Sequence, residues 1–180
     1  IGPYHPGHLV IPESEMKEES KDLSGPIPGT LYTRFDPQRH TGFVMKNWLV
    51  SWSDGEKDTK GMPPARFFRT YRFVLERLLR TANVAMVVDE ANPDSYIGFM
   101  CWSGGDVPTL HYVYVKHGYR GIGFMTGMLA ELGVTGETDF KFTFMPVPRK
   151  KAEGLRSRFP KATHAPELLT TLVKESETEE

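Results

Sequence analysis

The chain has a single cysteine, Cys101, among 180 residues, which excludes an internal disulfide framework. It also has no apolar run near the roughly twenty residues needed to cross a bilayer, and no signal peptide is expected from its N-terminal residues. It has no excess of charge, with 22 Lys and Arg against 23 Asp and Glu for a formal net charge of -1. That balance argues against a nucleic-acid binder that depends on a strong basic field. The six histidines are too dispersed for a zinc-ligand pattern, so no metal is expected. An isolated cysteine on an apolar strand reads as a small buried side chain rather than a reactive thiol. A protein of the cytoplasm, with no membrane partner, is expected.

What is present divides into a central domain and two ends. Residues 1–29 carry Gly and Pro clusters around a charged stretch and read as an extended arm, a solvated tail or a strap onto a partner subunit. Residues 170–180 form an acidic tail. Between them, residues 30–169 are long enough for one core. Residues 30–35 read as a strand, and Asp36-Pro37 opens a helix to about Trp52 with Phe43, Val44, Asn47 and Trp48 on one face. A second helix from Ala65 follows the one-face template through Phe67, Phe68, Tyr71, Val74, Leu75, Leu78, Leu79 and Ala82. Its arginines read as a solvated face. Two strands, 84–89 and 96–102, flank an Asn92-Pro93-Asp94 turn.

The most informative stretch follows. Val113, Tyr114 and Val115 read as a buried strand, with Tyr112 and Tyr114 expected on opposite faces. Gly118, Gly121 and Gly123 punctuate a turn, and Met125, Met128, Leu129 and Leu132 continue at helical spacing. A strand that breaks through glycines into a helix presents unpaired N–H groups and the positive end of a helix dipole. Both favour a phosphate, and Arg120 adds a full charge. The P-loop is excluded because no Lys-Ser/Thr pair follows the glycines, and the dinucleotide fingerprint because its third glycine is out of register. A last strand is expected over 139–144, then a short helix over 149–159 and a further strand or extended strap over 162–169.

Arg120-Gly121-Ile122-Gly123-Phe124-Met125, between an apolar strand and an apolar helix, resembles the pyrophosphate loop of the GNAT-type N-acetyltransferase superfamily, whose pattern is Gln/Arg-x-x-Gly-x-Gly/Ala. Arg120 and Gly123 match its Arg and first Gly. Met125 stands where the family has Gly or Ala. The order strand, helix, helix, three strands, helix, strand over 30–144 is also the family's. The first helix, the Leu78-Leu79 end of the second, the strand Leu110-His-Tyr-Val-Tyr-Val115 and the turn Asp89-Glu-Ala-Asn-Pro-Asp94 are similar to small acetyltransferase-like proteins of tailed bacteriophages. The resemblance implies an α/β (α+β) fold with a mixed, mostly antiparallel central sheet flanked by helices, shortened at the C-terminus. It further implies acetyl-CoA as co-substrate and an amine as acceptor.

In that frame the backbone of Val113 and Val115 would meet the pantetheine arm, and Arg120, Gly121, Ile122, Gly123, Phe124 and Met125 would surround the diphosphate. His111 and Asp106 are the expected bases for the acceptor amine. Many family members place an acidic tyrosine after the fifth strand, and this chain has no tyrosine beyond Tyr119. Ser157, Thr143 and His164 are the substitutes. His111 also reads as a satisfied residue of a half-buried strand, and His117 as decoration of the loop. Two classes therefore stay open, an acyl-CoA-dependent N-acetyltransferase and a non-catalytic virion or host-interacting protein on the same scaffold.

Overall fold

The computed structural model describes residues 25–55, 61–144, 149–169 and 174. The expected arm up to residue 24, the Pro-rich segment after Met145 and most of the acidic tail lie outside the described residues. The element order is β1 (Thr30–Arg34), α1 (Pro37–Gly55), α2 (Pro64–Thr81), β2 (Asn83–Asp89), β3 (Tyr96–Ser103), β4 (Thr109–Val115), α3 (Phe124–Glu131), β5 (Phe140–Phe142), α4 (Arg149–Arg158) and β6 (Ala162–His164). The six strands form one sheet in chain order, antiparallel from β1 to β4 and parallel from β4 to β6. The fold class is thus the mixed α/β arrangement expected, with helices on both sides of a mostly antiparallel sheet.

Local chemistry explains the boundaries. The Asp36 carboxylate accepts the Gln38 N–H at 2.8 Å, and its carbonyl accepts the His40 N–H at 2.8 Å. His40 Nδ1 in turn accepts the Asp36 N–H at 2.8 Å, so donor groups at the start of α1 are satisfied reciprocally. Helix α2 begins with Pro64 in its first turn, where a missing N–H costs nothing. The β2–β3 turn is tied by Asp89, whose carboxylate accepts the Ala91 N–H at 2.8 Å.

Two cores lie on the two faces of the sheet. Val44, Trp48 and Trp52 of α1 and Phe67, Val74, Leu75 and Leu78 of α2 bury against Met86, Phe99 and Cys101. Phe124, Met128 and Leu129 of α3 and Leu155 of α4 bury against Val87, Met100, Leu110 and Phe142. Cys101 is fully buried, and burial pushes its thiol pKa far up, as a structural cysteine requires.

Three expectations need correction. Phe68, assigned to the inner face of α2, is half-exposed, because the buried stripe runs through Phe67, Thr70, Val74, Leu75 and Leu78. Val113, Tyr114 and Val115 are half-buried rather than buried, since β5 does not cover that end of β4. Tyr112 and Tyr114 share one face, toward α1, while Val113 and Val115 pack on the α3 side, as a period of two dictates for residues two apart.

Gly98 marks a close approach between β3 and β4. A Cβ there would sit 2.4 Å from the Tyr114 carbonyl oxygen, a backbone atom that cannot swing away. Gly98→Ala is therefore expected to force β3 and β4 apart and to cost about 1–3 kcal/mol of unfolding free energy, read as a lower urea midpoint.

Candidate functional site

Strand β4 holds the site because its two neighbours treat it differently. Against β3 the pairing persists to Gly98 and Val115, and beyond it the Lys116 N–H reaches the Ile97 carbonyl at 2.8 Å. Among the described residues the register against β5 stops at Leu110 and Phe142, with the Thr143 N–H on the Leu110 carbonyl at 3.1 Å just beyond it. Strand alternation turns the amide and carbonyl of Val115 away from β3, and those of Val113 with them. Among the described residues no strand pairs with β4 at Val113 and Val115, whose peptide groups face that edge.

That edge leads into the glycine turn. Residues His117–Tyr119 form one 3₁₀ turn, closed by the Arg120 N–H on the His117 carbonyl at 3.2 Å. Gly121 and Gly123 follow with φ of 83° and 95°, a left-handed backbone that side chains with a Cβ rarely adopt. Gly123 caps α3, whose first ladder bond runs from the Gly127 N–H to the Gly123 carbonyl at 2.9 Å. The N–H groups of Phe124, Met125 and Thr126 precede that ladder and remain available to an acceptor. A Cβ at Gly121 or Gly123 would meet nothing within 4 Å, so the space in front of the turn is open.

Three side chains define the surroundings. Arg120 is exposed and donates from Nε to the Val115 carbonyl at 2.7 Å, with its guanidinium carbon 5.9 Å from the centre of the Tyr114 ring. One hydrogen bond thus pins the cation at the point where the open edge meets the turn, leaving its terminal N–H groups for a ligand. Phe124 turns into the core with its ring edge against Tyr119 at 5.9 Å, and Met125 is half-buried against the same core. Ile122 is 58% exposed and flanks the open side.

The expected bases separate. His111 is only 6% exposed, and it occupies a β-bulge, since Cys101 pairs with Tyr112 and Trp102 with Leu110, leaving His111 unopposed. Its Nε2 lies 2.7 Å from the Ser103 hydroxyl and its Nδ1 3.5 Å from the Thr143 hydroxyl, which also donates to the His111 carbonyl at 3.3 Å. Burial pushes its pKa down to about 4, so the imidazole is neutral at pH 7. Asp106 is exposed in the loop before β4, at the opposite end of that strand from the glycine turn. Of the three substitute acids, Thr143 alone has a hydrogen bond to His111. Ser157 is exposed on α4, and His164 stacks on Phe142 at 5.1 Å.

Ser103 was absent from the sequence-based set. Its only sequence signal is a position eight residues before His111 across a short hairpin, where diagonal cross-strand neighbours come within reach.

A pH consequence follows from His111. Its folded pKa of about 4 lies below the ordinary value of 6.5, so the unfolded chain takes up the proton first. The associated stability is complete above about pH 6.5 and is lost as pH falls toward 4, by about 3 kcal/mol in total. His40 and His164 are shifted in the same direction, chiefly by burial, so the comparison must be differential. Urea unfolding at pH 7 and pH 4.5 is expected to show a drop smaller by about 2 kcal/mol in His111→Gln than in the parent chain. Equal drops would remove His111 as the source.

No protein-family model matches this sequence, and no curated protein matches it. Among solved structures, the chain is similar to a GCN5-related glucosamine N-acetyltransferase region of a fungal multi-domain GH3 beta-N-acetylglucosaminidase, at 15% identity and a TM-score of 0.37. That likeness covers 58% of this chain and 12% of the other, so the chain spans about an eighth of that protein's length. It is also similar to the ribosomal-protein-alanine N-acetyltransferase of Brucella melitensis biovar Abortus 2308, at 18% identity and a TM-score of 0.41, over 76% of this chain and 91% of the other.

Proposed function

We propose that this chain is an acyl-CoA-dependent N-acetyltransferase that moves an acetyl group to an amine. One observation carries the reading. A strand edge vacated by its parallel neighbour runs directly into a left-handed glycine turn at a helix N-terminus, with an arginine fixed at the junction.

Each part has a chemical use. The Val113 and Val115 peptide groups suit a partner that is itself rich in amides, as pantetheine is. Free N–H groups at the start of α3 and the Arg120 guanidinium suit a diphosphate, and the open space before Gly121 and Gly123 lets its oxygens approach the backbone. Phe124 is directed into the core, so its side chain does not fill the approach. Acetyl-CoA, when bound, supplies an activated acyl thioester. Transfer needs a neutral amine, and His111, neutral, buried and held by Ser103 and Thr143, would take the amine's proton through the Ser103 hydroxyl that faces its Nε2. Asp106, in the loop before β4 and at the other end of that strand from the glycine turn, takes no part in this scheme.

The alternative is a non-catalytic member of a phage particle or a host-interacting protein on the same scaffold. It is favoured by Met125 in a position that suits a small residue and by the lack of a tyrosine after Tyr119.

Calorimetry with acetyl-CoA separates the two. Micromolar binding is expected in the parent chain and its loss in Gly123→Asp, which sets a carboxylate and a strained φ at the cradle. Arg120→Ala is expected to weaken binding more at low salt than at 0.5 M or so, where the Debye length is only about 4–5 Å. No heat at high ligand concentration would leave the non-catalytic reading, and a salt-independent loss in Arg120→Ala would mean that Arg120 acts on folding.

A further inference from the structure

We propose that Ser103 is itself a nucleophile, accepting an acyl group from an activated ester or thioester with His111 as its base and Thr143 as a positioning residue. The geometry is a continuous chain of polar groups across β3, β4 and the end of β5. Ser103 Oγ lies 2.7 Å from His111 Nε2, His111 Nδ1 lies 3.5 Å from Thr143 Oγ1, and Thr143 Oγ1 donates to the His111 carbonyl at 3.3 Å. With its own hydrogen committed to that carbonyl, Thr143 accepts from Nδ1–H. This pattern assigns the tautomer in which Nε2 carries the lone pair facing Ser103.

Burial grades the three groups in the useful order. His111 and Thr143 are buried at 6% and 4% exposure, whereas Ser103 is half-exposed at the end of β3 and can be reached from solvent. The β-bulge at His111 swings the imidazole toward Ser103 and holds it there. A hydroxyl at hydrogen-bond distance from a neutral, oriented imidazole is the minimal arrangement for nucleophilic attack.

In the step itself, Ser103 Oγ bonds to the carbonyl carbon of the donor, and the carbon–sulfur bond of a thioester, or the carbon–oxygen bond of an aryl ester, breaks. The hydroxyl proton passes to His111 Nε2 and from there to the departing thiolate or phenolate. An acyl ester on Ser103, a neutral thiol or phenol and a neutral His111 remain. Thr143 stands where a carboxylate would steady the imidazolium, so the acyl ester is expected to form and to be lost slowly, and without an amine acceptor one acetyl group per chain is expected to accumulate on long incubation.

The inference is separable from the CoA-binding reading, because a small ester with no nucleotide tests it. The full chain is incubated with 4-nitrophenyl acetate, and nitrophenolate release, intact mass and the modified peptide are read. One acetyl group per chain on the Ser103 peptide is expected, absent from Ser103→Ala and restored on the new thiol of Ser103→Cys. His111→Gln is expected to slow the release on the order of 100-fold. Because that buried variant also risks its fold, Ser103→Ala, at a half-exposed position, carries the decision. A parent chain that stays unacetylated, or acetylation that appears equally in Ser103→Ala, overturns the proposal.

Discussion

The structure turns on one extra residue in β4. With His111 bulged out of register against β3, the alternation of side chains changes phase within the strand. Leu110 enters the core beneath α3, while Tyr112 and Tyr114 enter the one beneath α1. Unbroken alternation would have put Leu110, Tyr112 and Tyr114 on one face. The same phase change places a buried imidazole between the hydroxyls of Ser103 and Thr143.

Beyond the bulge, β3 is the one strand that pairs with β4 among the described residues. That pairing is reinforced on the α1 side by rings that lock the strand's exposed half. Tyr112 lies nearly parallel to Trp48, with centroids 4.9 Å apart and 14° between planes, and Tyr114 stacks on Phe99 at 5.6 Å and 22°. Such pairs add on the order of 1 kcal/mol each beyond the area they bury. Arg120 then closes the end of the strand through its bond to the Val115 carbonyl and its place over the Tyr114 ring. The cation that would meet a diphosphate is thus seated on the strand that would meet the rest of the ligand.

The electrostatics of the site are local rather than global. A net charge of -1 supplies no long-range field for an anion. Unpaired N–H groups at the start of α3, the helix dipole and one guanidinium do so over a few ångströms, where screening is weakest. Left-handed backbone at Gly121 and Gly123 is what turns the chain sharply enough to aim those groups outward. Away from this turn the described polar side chains serve mainly to cap and to tie, as Asp36, His40 and Asp89 do.

Most of the architecture was legible in the residues because it follows from short-range rules. Proline at a helix start, aspartate at a cap, one-face periodicity in α2 and glycines before α3 each act within a turn or two of chain. The glycine turn from Arg120 to Gly123 that opens α3 was legible for the same reason. Three things were not: the half-exposure of Phe68, the one-sided burial of Val113 and Val115, and the pairing of Ser103 with His111. Each depends on where a distant element sits. Phe68 is exposed because α1 and the sheet meet the neighbouring stripe of α2, Val115 is uncovered because β5 pairs no further than Phe142, and Ser103 reaches His111 only because a bulge shifts the register between two strands. Sequence by itself determined the elements and the glycine turn that opens α3, since propensity, capping and handedness are local properties of the backbone. Tertiary structure alone decided which edge stays open and which hydroxyl meets the imidazole, since strand register is set by the packing of whole faces against one another.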